Sequence, residues 1–133
     1  MKKFLLVILT GLSMVSCTKN VSTPGAANQN IFFQNANVAV EYMIAVTSSA
    51  STVTISFSTA FENHISRIEL MSSSNESTYC TSQAVDLSGS SSGKKDYSFS
   101  DSNVKSSKMY YMLRFKDSNG NWSYSPYLTV QVN

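Results

Sequence analysis

Apolar and polar residues alternate with a period of two in several separate segments of the chain. In residues 52–58, "TVTISFS", Val53, Ile55 and Phe57 alternate with Ser and Thr. The same alternation occurs in residues 67–71, "RIELM", and in residues 38–46, where every second residue is Val, Tyr or Ile. A period of two puts one set of side chains on the buried face of a β-strand and the other on the opposite face. We therefore predict three strands, with Phe57 in the core.

The C-terminal segment, residues 109–132, has the clearest pattern. Asn119-Gly120 favours a two-residue type I′ turn, because both residues tolerate positive φ. The register of such a hairpin places three pairs of residues on the inner face: Phe115 with Tyr124, Leu113 with Pro126, and Tyr111 with Leu128. It also places Trp122 inward, near the turn. Because turn chemistry and burial pattern agree, we predict a hairpin here.

Further short strands are expected in "TYCTSQAVDL", residues 78–87, and in "DYSFSD", residues 96–101, separated by a Gly- and Ser-rich loop. The total is about seven short strands in roughly 100 residues, without helical periodicity after the first 16. This pattern predicts an all-β fold, an antiparallel β-sandwich. An up-and-down barrel is the alternative.

The N-terminus has the pattern of an export signal. Lys2 and Lys3 precede an uncharged, mostly apolar run over residues 4–15, which is too short to span a membrane. Ser16 and Cys17 end the segment "MVSC", which resembles the lipobox of bacterial lipoproteins. We predict a signal peptide over residues 1–16 and lipid attachment at Cys17; ordinary cleavage nearby and an uncleaved segment are the alternatives.

Residues 17–30 are then a lipidated cysteine and a flexible polar tether, and residues 31–133 form one domain. A lipidated Cys17 makes the even cysteine count a false sign of an internal disulfide. We interpret Cys80 as a small buried hydrophobic residue rather than a reactive or metal-binding thiol.

Charge argues against a nucleic-acid binder. The chain has 10 Lys and Arg against 8 Asp and Glu. Without Lys2 and Lys3 the two totals are equal, so the domain carries no net positive charge to attract phosphate backbones.

The domain resembles the fibronectin type III-like module of secreted and envelope proteins of certain Gram-negative bacteria. The matching positions are Thr59, Ala60, Glu62, Ile68, Glu69, Tyr97, Phe99, Asp101, Tyr110, Tyr111, Leu113, Asp117, Gly120, Tyr124, Ser125 and Pro126. The resemblance covers residues 52–132 and implies an immunoglobulin-like sandwich. Two features depart from the family: Phe57 stands where it has a core Trp, and the sequence stops at Asn133, without a sorting tail. We therefore expect export to depend on the N-terminal signal.

Catalytic and metal-binding residues are not expected. His64 is the only histidine, and the serines lie in low-complexity stretches without a nucleophile motif. Asp117, Asn119 and Asn121 are spaced like oxygen ligands of a calcium loop, but the later acidic ligand is missing and a turn explains the same residues. We predict a non-enzymatic protein without a cofactor or metal.

A protein partner is predicted on one sheet face. The strands that carry residues 67–71, 110–116 and 127–131 should lie in one sheet, so their outward residues share a surface. These residues are Arg67, Glu69, Met71, Tyr110, Met112, Arg114 and Tyr127. Met, Tyr and Arg are enriched at protein interfaces. An inert surface and a layer covered by residues 18–36 are the alternatives.

The predicted function is that of a small envelope lipoprotein whose sandwich is a scaffold or protein-interaction module. A glycan-binding lipoprotein is the alternative, with Trp122 as the residue that would stack on a sugar. The lipid holds the protein on the outer membrane. The periplasmic side is favoured over the cell surface, because Thr18-Lys19-Asn20 lacks the acidic cluster that resembles a surface-export signal.

Overall fold

The computed structural model describes the backbone of Cys17–Lys19 and residues 31–88 and 90–133. The predicted signal peptide, residues 1–16, and residues 20–30 of the predicted tether lie outside the described residues. Ten strands are described: β1 (Cys17–Lys19), β2 (Phe33–Gln34), β3 (Val38–Ser49), β4 (Thr52–Glu62), β5 (Ile65–Ser73), β6 (Thr78–Asp86), β7 (Lys95–Asp101), β8 (Lys108–Asp117), β9 (Trp122–Tyr124) and β10 (Leu128–Gln131). Seven have four or more residues, which matches the predicted number.

The strands form two antiparallel sheets. Sheet A has the order β1-β6-β5-β8-β10, with β9 also paired to β8, and sheet B has the order β2-β3-β4-β7. The antiparallel β-sandwich is therefore confirmed, and so is the prediction that β5, β8 and β10 share a sheet. Within the described ranges, no helix has the length and apolar character needed to cross a membrane.

The core lies between the inner faces of the two sheets. Phe57 is fully buried, as predicted, and packs against the rings of Tyr97 and Phe99 at centroid distances of 4.9 and 5.3 Å. Sheet A supplies the inner row Leu113, Phe115, Tyr111, Ile68 and Leu70, all without exposed surface. Alternation along β4, β5 and β8 thus selects the buried residues, as a period of two requires.

Two buried carboxylates, Glu62 and Asp101, accept hydrogen bonds that link different strands of the sandwich. Glu62 accepts hydrogen bonds from Thr59 Oγ1 at 2.8 Å, from Lys95 Nζ at 3.3 Å and from the hydroxyl of Tyr97. Asp101 in sheet B accepts a hydrogen bond from the hydroxyl of Tyr111 in sheet A at 2.8 Å. These groups are hydrogen-bonded within the fold, as buried charges must be, and they therefore have a structural role.

A β-bulge changes the facing of β3. The register with β4 shifts between Val40 and Tyr42, so the alternation changes phase there. Val38 and Val40 point into the core, but Tyr42, Ile44 and Val46 are 38, 53 and 57 % exposed. The expected single row from residue 38 to residue 46 is therefore wrong, because one extra residue turns the rest of the row outward.

The C-terminal hairpin has a three-residue loop, and the predicted type I′ turn is wrong. Asp117 pairs with Asn121 through its backbone N–H at 2.9 Å, and of the loop residues only Gly120 has positive φ, at 91°. The sequence "DSNG" suits this loop, with Asp at the first position of a type I turn and Gly at the fourth. Phe115 consequently pairs with Ser123 instead of Tyr124.

The predicted register is recovered further along the hairpin. Leu128 pairs with Tyr111, as expected. An irregularity around the buried Ser125 absorbs the difference: Ser125 donates its hydroxyl to the carbonyl of Pro126 and accepts the N–H of Leu113 at 2.9 Å. The chain is thus divided into β9 and β10, which are out of phase by one residue.

The cysteine interpretation needs correction. Cys80 is half-buried and disulfide-bonded. The prediction of a buried Cys80 without a disulfide is therefore wrong. The chain has one other cysteine, Cys17, which lies opposite Cys80 in the register of β1 with β6. Cys17–Lys19, expected at the start of a tether, therefore form an edge strand of sheet A.

Candidate functional site

The seven residues of the predicted partner face lie on β5, on β8 and just before β10. Glu69 is opposite Arg114, and Met71 is opposite Met112. Their inward neighbours, Ile68, Leu70 and Leu113, are fully buried in the sandwich core, so the seven residues belong to the opposite, outer face of sheet A.

This outer face is much less exposed than the sequence predicts. Met71 and Met112 have 0 % exposed surface, and Glu69 and Arg114 are also buried. Met71, Met112 and Tyr79 form a second apolar cluster, against which Tyr110 and Tyr124 pack. The expectation of an exposed Met112 is wrong, because neighbouring aromatic rings cover the sheet.

The three-residue loop brings Trp122 to the same outer face. Trp122 pairs with Lys116, and Tyr124 pairs with Arg114, so both aromatic residues are on the side away from the core. The guanidinium carbon of Arg114 lies 4.0 Å from the centre of the Trp122 ring, within cation–π distance. The predicted inward position of Trp122 is therefore wrong.

An ion network lies between the aromatic residues and β6. The carboxylate of Glu69 accepts hydrogen bonds from Arg67 Nε at 2.7 Å, from Arg114 Nε at 2.6 Å and from Thr81 Oγ1 at 3.0 Å. Burial by itself would raise the pKa of Glu69, but the hydrogen bonds from Arg67 and Arg114 outweigh it and hold the pKa below its ordinary value. Arg67 also contacts Asp86 Oδ1 at 2.6 Å. Arg114 is thus held between a carboxylate and an indole.

Tyrosines form the other end of the face. The rings of Tyr110 and Tyr127 meet edge to face, with centroids 5.6 Å apart. The hydroxyl of Tyr127 donates to Glu76 Oε1 at 2.9 Å. The hydroxyl of Tyr79 is buried without a hydrogen-bond partner, and burial raises the pKa of Tyr79 to about 12.

We call the aromatic residues of this surface that are at least partly exposed the aromatic face; it consists of the half-exposed Tyr110, Trp122 and Tyr124 and the exposed Tyr127. The sequence prediction missed Trp122 and Tyr124, and the signal that could have placed them is the Asp-x-x-Gly spacing of the loop. It also missed Tyr79, since the alternation in residues 78–87 is too weak to assign a facing, and Glu76, which lies in the connection between β5 and β6.

The remaining candidate residues have structural partners. Asp117 Oδ1 accepts the N–H groups of Asn119 and Asn121 at 2.8 and 2.9 Å, and the hydrogen bonds from Asn121 lower the pKa of Asp117. His64 has a φ of 55° in the turn between β4 and β5, and its backbone N–H donates a hydrogen bond to Ser90 Oγ. In the part of the chain that the structure covers, no three His, Cys, Asp or Glu residues are grouped as metal ligands.

A shallow depression of about 280 Å³ lies at one end of sheet A. Its lining is mostly hydroxyl and amide groups: Ser72, Ser73, Ser74, Asn75, Thr78, Cys80, Asn103, Lys105 and Met109. Ser73 and Asn75 bond each other and the surrounding turn, so these polar groups serve the β5–β6 connection.

Comparison of the chain with models of protein families, with curated proteins and with solved structures found no match in any of the three. The function is therefore inferred from the residues of this chain.

Proposed function

We propose that the protein is a small exported lipoprotein of the cell envelope, with a fibronectin type III-like sandwich that binds a protein partner through the aromatic face. In this proposal the domain is non-enzymatic and acts as a scaffold or interaction module. The lipid at Cys17 holds it on the outer membrane, on the periplasmic side.

Export is supported by either of two modifications of the cysteines, a lipid on Cys17 or a disulfide at Cys80. A lipobox-like cysteine is modified only after the signal segment reaches the membrane, and a disulfide at Cys80 persists only in an oxidising compartment. The uncharged run over residues 4–15 after Lys2 and Lys3 supplies the signal. Either fate of the sulfurs supports a protein outside the cytoplasm.

The anchor requires that Cys17 is not the disulfide partner of Cys80 in the exported protein, because one sulfur cannot carry both a thioether and a disulfide. Mass spectrometry of peptides from the protein purified from membranes distinguishes the two fates. The proposal predicts an N-terminal peptide that begins with acylated Cys17, and Cys17→Ser should move the protein to the soluble fraction. Recovery of a peptide pair joined through Cys17 and Cys80 would contradict the anchor.

The aromatic face is the observation that carries the binding proposal. Four aromatic side chains, three half-exposed and one exposed, lie together on one sheet, and Tyr, Trp and Arg are the residues most enriched at interface hot spots. Their positions are set in advance: Trp122 stacks on Arg114, and Tyr127 bonds Glu76. A partner would therefore pay little entropy to order them.

A matched set of variants tests this proposal. Trp122→Ala with Tyr127→Ala removes two rings that are not fully buried, so the fold should persist. The same envelope extract is offered to the tagged wild type, this double variant and Thr54→Ala, which changes the outer face of sheet B. We expect one or more proteins to be retained by the wild type and Thr54→Ala and lost by the double variant. Equal retention by all three would refute the aromatic face as the binding site.

Glycan binding is the second candidate function, and the outward position of Trp122 favours it. A half-exposed indole beside tyrosines can stack on a sugar ring through the part of the ring that Arg114 does not cover. Binding of isolated envelope polysaccharide to the protein, lost in Trp122→Ala and retained in Thr54→Ala, would support a glycan. Retention of protein partners after removal of polysaccharide from the extract would support the protein-interaction function.

A further inference from the structure

The open edge of sheet B is the strand β3. On its outer side β2 pairs only with Ala39 and Val40, and among the described strands none pairs with this side from Tyr42 to Ser49. A strand edge of this length presents unpaired N–H and C=O groups that can bind another strand.

The two edges of sheet B differ in their protection. At the other edge, β7 carries Lys95 and Asp96, and its Ser100 N–H is bonded by the side chain of Gln83 at 2.7 Å. Charged residues and side-chain caps are the usual means by which soluble proteins prevent edge pairing. Residues 42–49 of the β3 edge, "YMIAVTSS", contain no charge and no proline. A charge approaches the edge at Tyr42, where Lys94 Nζ, paired with Glu41, lies 5.8 Å from the centre of the ring.

The outward side chains along this edge are apolar. Tyr42, Ile44 and Val46 are three of the four large hydrophobic residues that are exposed in the described part of the chain. Next to them, the outer row of β4 is Ser and Thr, including Thr54, which is opposite Val46. The apolar strip is therefore one strand wide and follows the open edge.

We propose that this edge pairs with the β3 edge of a second copy of the chain, in a two-fold antiparallel arrangement that joins two B sheets. The inference is independent of the partner-binding proposal, since it concerns the opposite sheet. The register that places Ala45 on the two-fold axis sets Ile44 against Val46 twice and Tyr42 against Ser48. Two apolar pairs form, and no like charges meet, because the strip is uncharged.

The geometry of the chain suits this occupant. In the same register, residues 39 and 40 of each copy, which pair with β2, are level with the turn at residues 50–51 of the other copy, so the two β2 strands lie at opposite ends of the paired segment and do not meet each other. The two-fold arrangement uses both open edges, and association stops at two copies. The competing occupant is the preceding part of the same chain, residues 20–30, but its sequence, "NVSTPGAANQN", contains a proline and few strand-forming residues.

Sedimentation of the full-length chain in detergent tests the proposal. We expect a concentration-dependent dimer for the wild type, and association at least about tenfold weaker for Ile44→Lys with Val46→Lys, because pairing would bring the new charges together at the contact. Thr54→Lys is the matched control, since it adds a charge to the same face one strand away from the edge. It should dimerise like the wild type.

A cysteine pair tests the register. With Ile44→Cys and Val46→Cys in one chain, oxidation should give a covalent dimer, whereas each single variant should not, since its cysteines are diagonal and too far apart to bridge. The wild type measures any background from Cys17 and Cys80.

Three results would overturn the proposal. The first is a wild type that is monomeric at about 1 mM, where even weak pairing is detectable. The second is a monomer whose amides at residues 42–49 resist hydrogen exchange, which would assign the edge to the chain's own N-terminal segment. The third is loss of the dimer in Thr54→Lys, which would indicate stacking of sheet faces instead of edge pairing.

Discussion

The outer faces of the two sheets have the same alternation of side chains along their strands but differ in how much of those side chains is exposed to solvent. On sheet A, outward residues such as Met71 and Met112 are fully covered by Tyr79, Tyr110 and Tyr124. On sheet B, outward residues such as Ile44 and Val46 remain more than half exposed. An outward position on a strand is therefore not the same as an exposed one. Exposure depends on whether adjacent strands contribute large side chains to the same face.

The largest expected difference comes from one charge placed on each face. Met112→Asp puts a carboxylate into the second apolar cluster and should lower the free energy of unfolding by about 5 kcal/mol. Ile44→Asp changes an exposed side chain and, at a protein concentration at which the chain is monomeric, should alter the free energy of unfolding by less than about 0.5 kcal/mol. Chemical denaturation of both variants checks the comparison. Equal losses would mean that the two outer faces are equally covered.

Phe57→Ala tests the inner side of sheet B. Phe57 is fully buried against Tyr97 and Phe99, so its truncation should cost about 3–5 kcal/mol. The control, Ser56→Ala, changes the outward neighbour and should cost less than about 0.5 kcal/mol. A loss below about 1 kcal/mol for Phe57→Ala would be inconsistent with a core position.

The ion network of sheet A should be sensitive to pH. Removal of the Glu69 charge leaves the buried Arg114 without its carboxylate, so Glu69→Gln should cost about 3 kcal/mol at pH 7. Since the folded state lowers the pKa of Glu69, this stability is present above the unfolded pKa of about 4.3 and is lost as the pH falls through the lower folded pKa.

Unfolding measured between pH 2 and 6 checks this prediction. The wild type should lose more stability with falling pH than Glu69→Gln does. Glu41→Gln, which breaks the exposed pair with Lys94 on sheet B, should have a smaller effect than Glu69→Gln. Parallel pH curves for wild type and Glu69→Gln would contradict the assigned role of the network.

The smallest effect is expected at the loop that turns Trp122 outward. Gly120 has a φ of 91°, so Gly120→Ala should cost about 1–2 kcal/mol. Gly93→Ala is the control, because a Cβ at Gly93 meets open space without positive φ. It should be neutral to within about 0.5 kcal/mol. A neutral Gly120→Ala would favour a loop in which this residue is not left-handed.

The sequence predicts the fold where alternation is uninterrupted and fails where one residue is added. Period two correctly assigns the inner rows of β4, β5 and β8. The predicted pairing of Tyr111 with Leu128 depends on a two-residue turn that is wrong, and it is found because the irregularity at Ser125 offsets the longer loop. The bulge after Val40 and the irregularity at Ser125 each shift the phase by one residue. Such shifts depend on packing against neighbouring strands, so alternation alone does not place them. The bulge turns Tyr42, Ile44 and Val46 outward on β3, and the three-residue loop before β9 places Trp122 and Tyr124 on the outer face of sheet A.

Photo-crosslinking in cells tests the central claim, that the aromatic face of sheet A binds an envelope protein. A photoreactive phenylalanine analogue replaces Tyr127 on the aromatic face or Ile44 on the β3 edge of the full-length chain. We expect adducts with a different protein from position 127. From position 44 we expect an adduct with twice the mass of the chain. If position 127 gives no protein adduct while position 44 captures a different protein, the partner binds sheet B and the aromatic face is not the binding site.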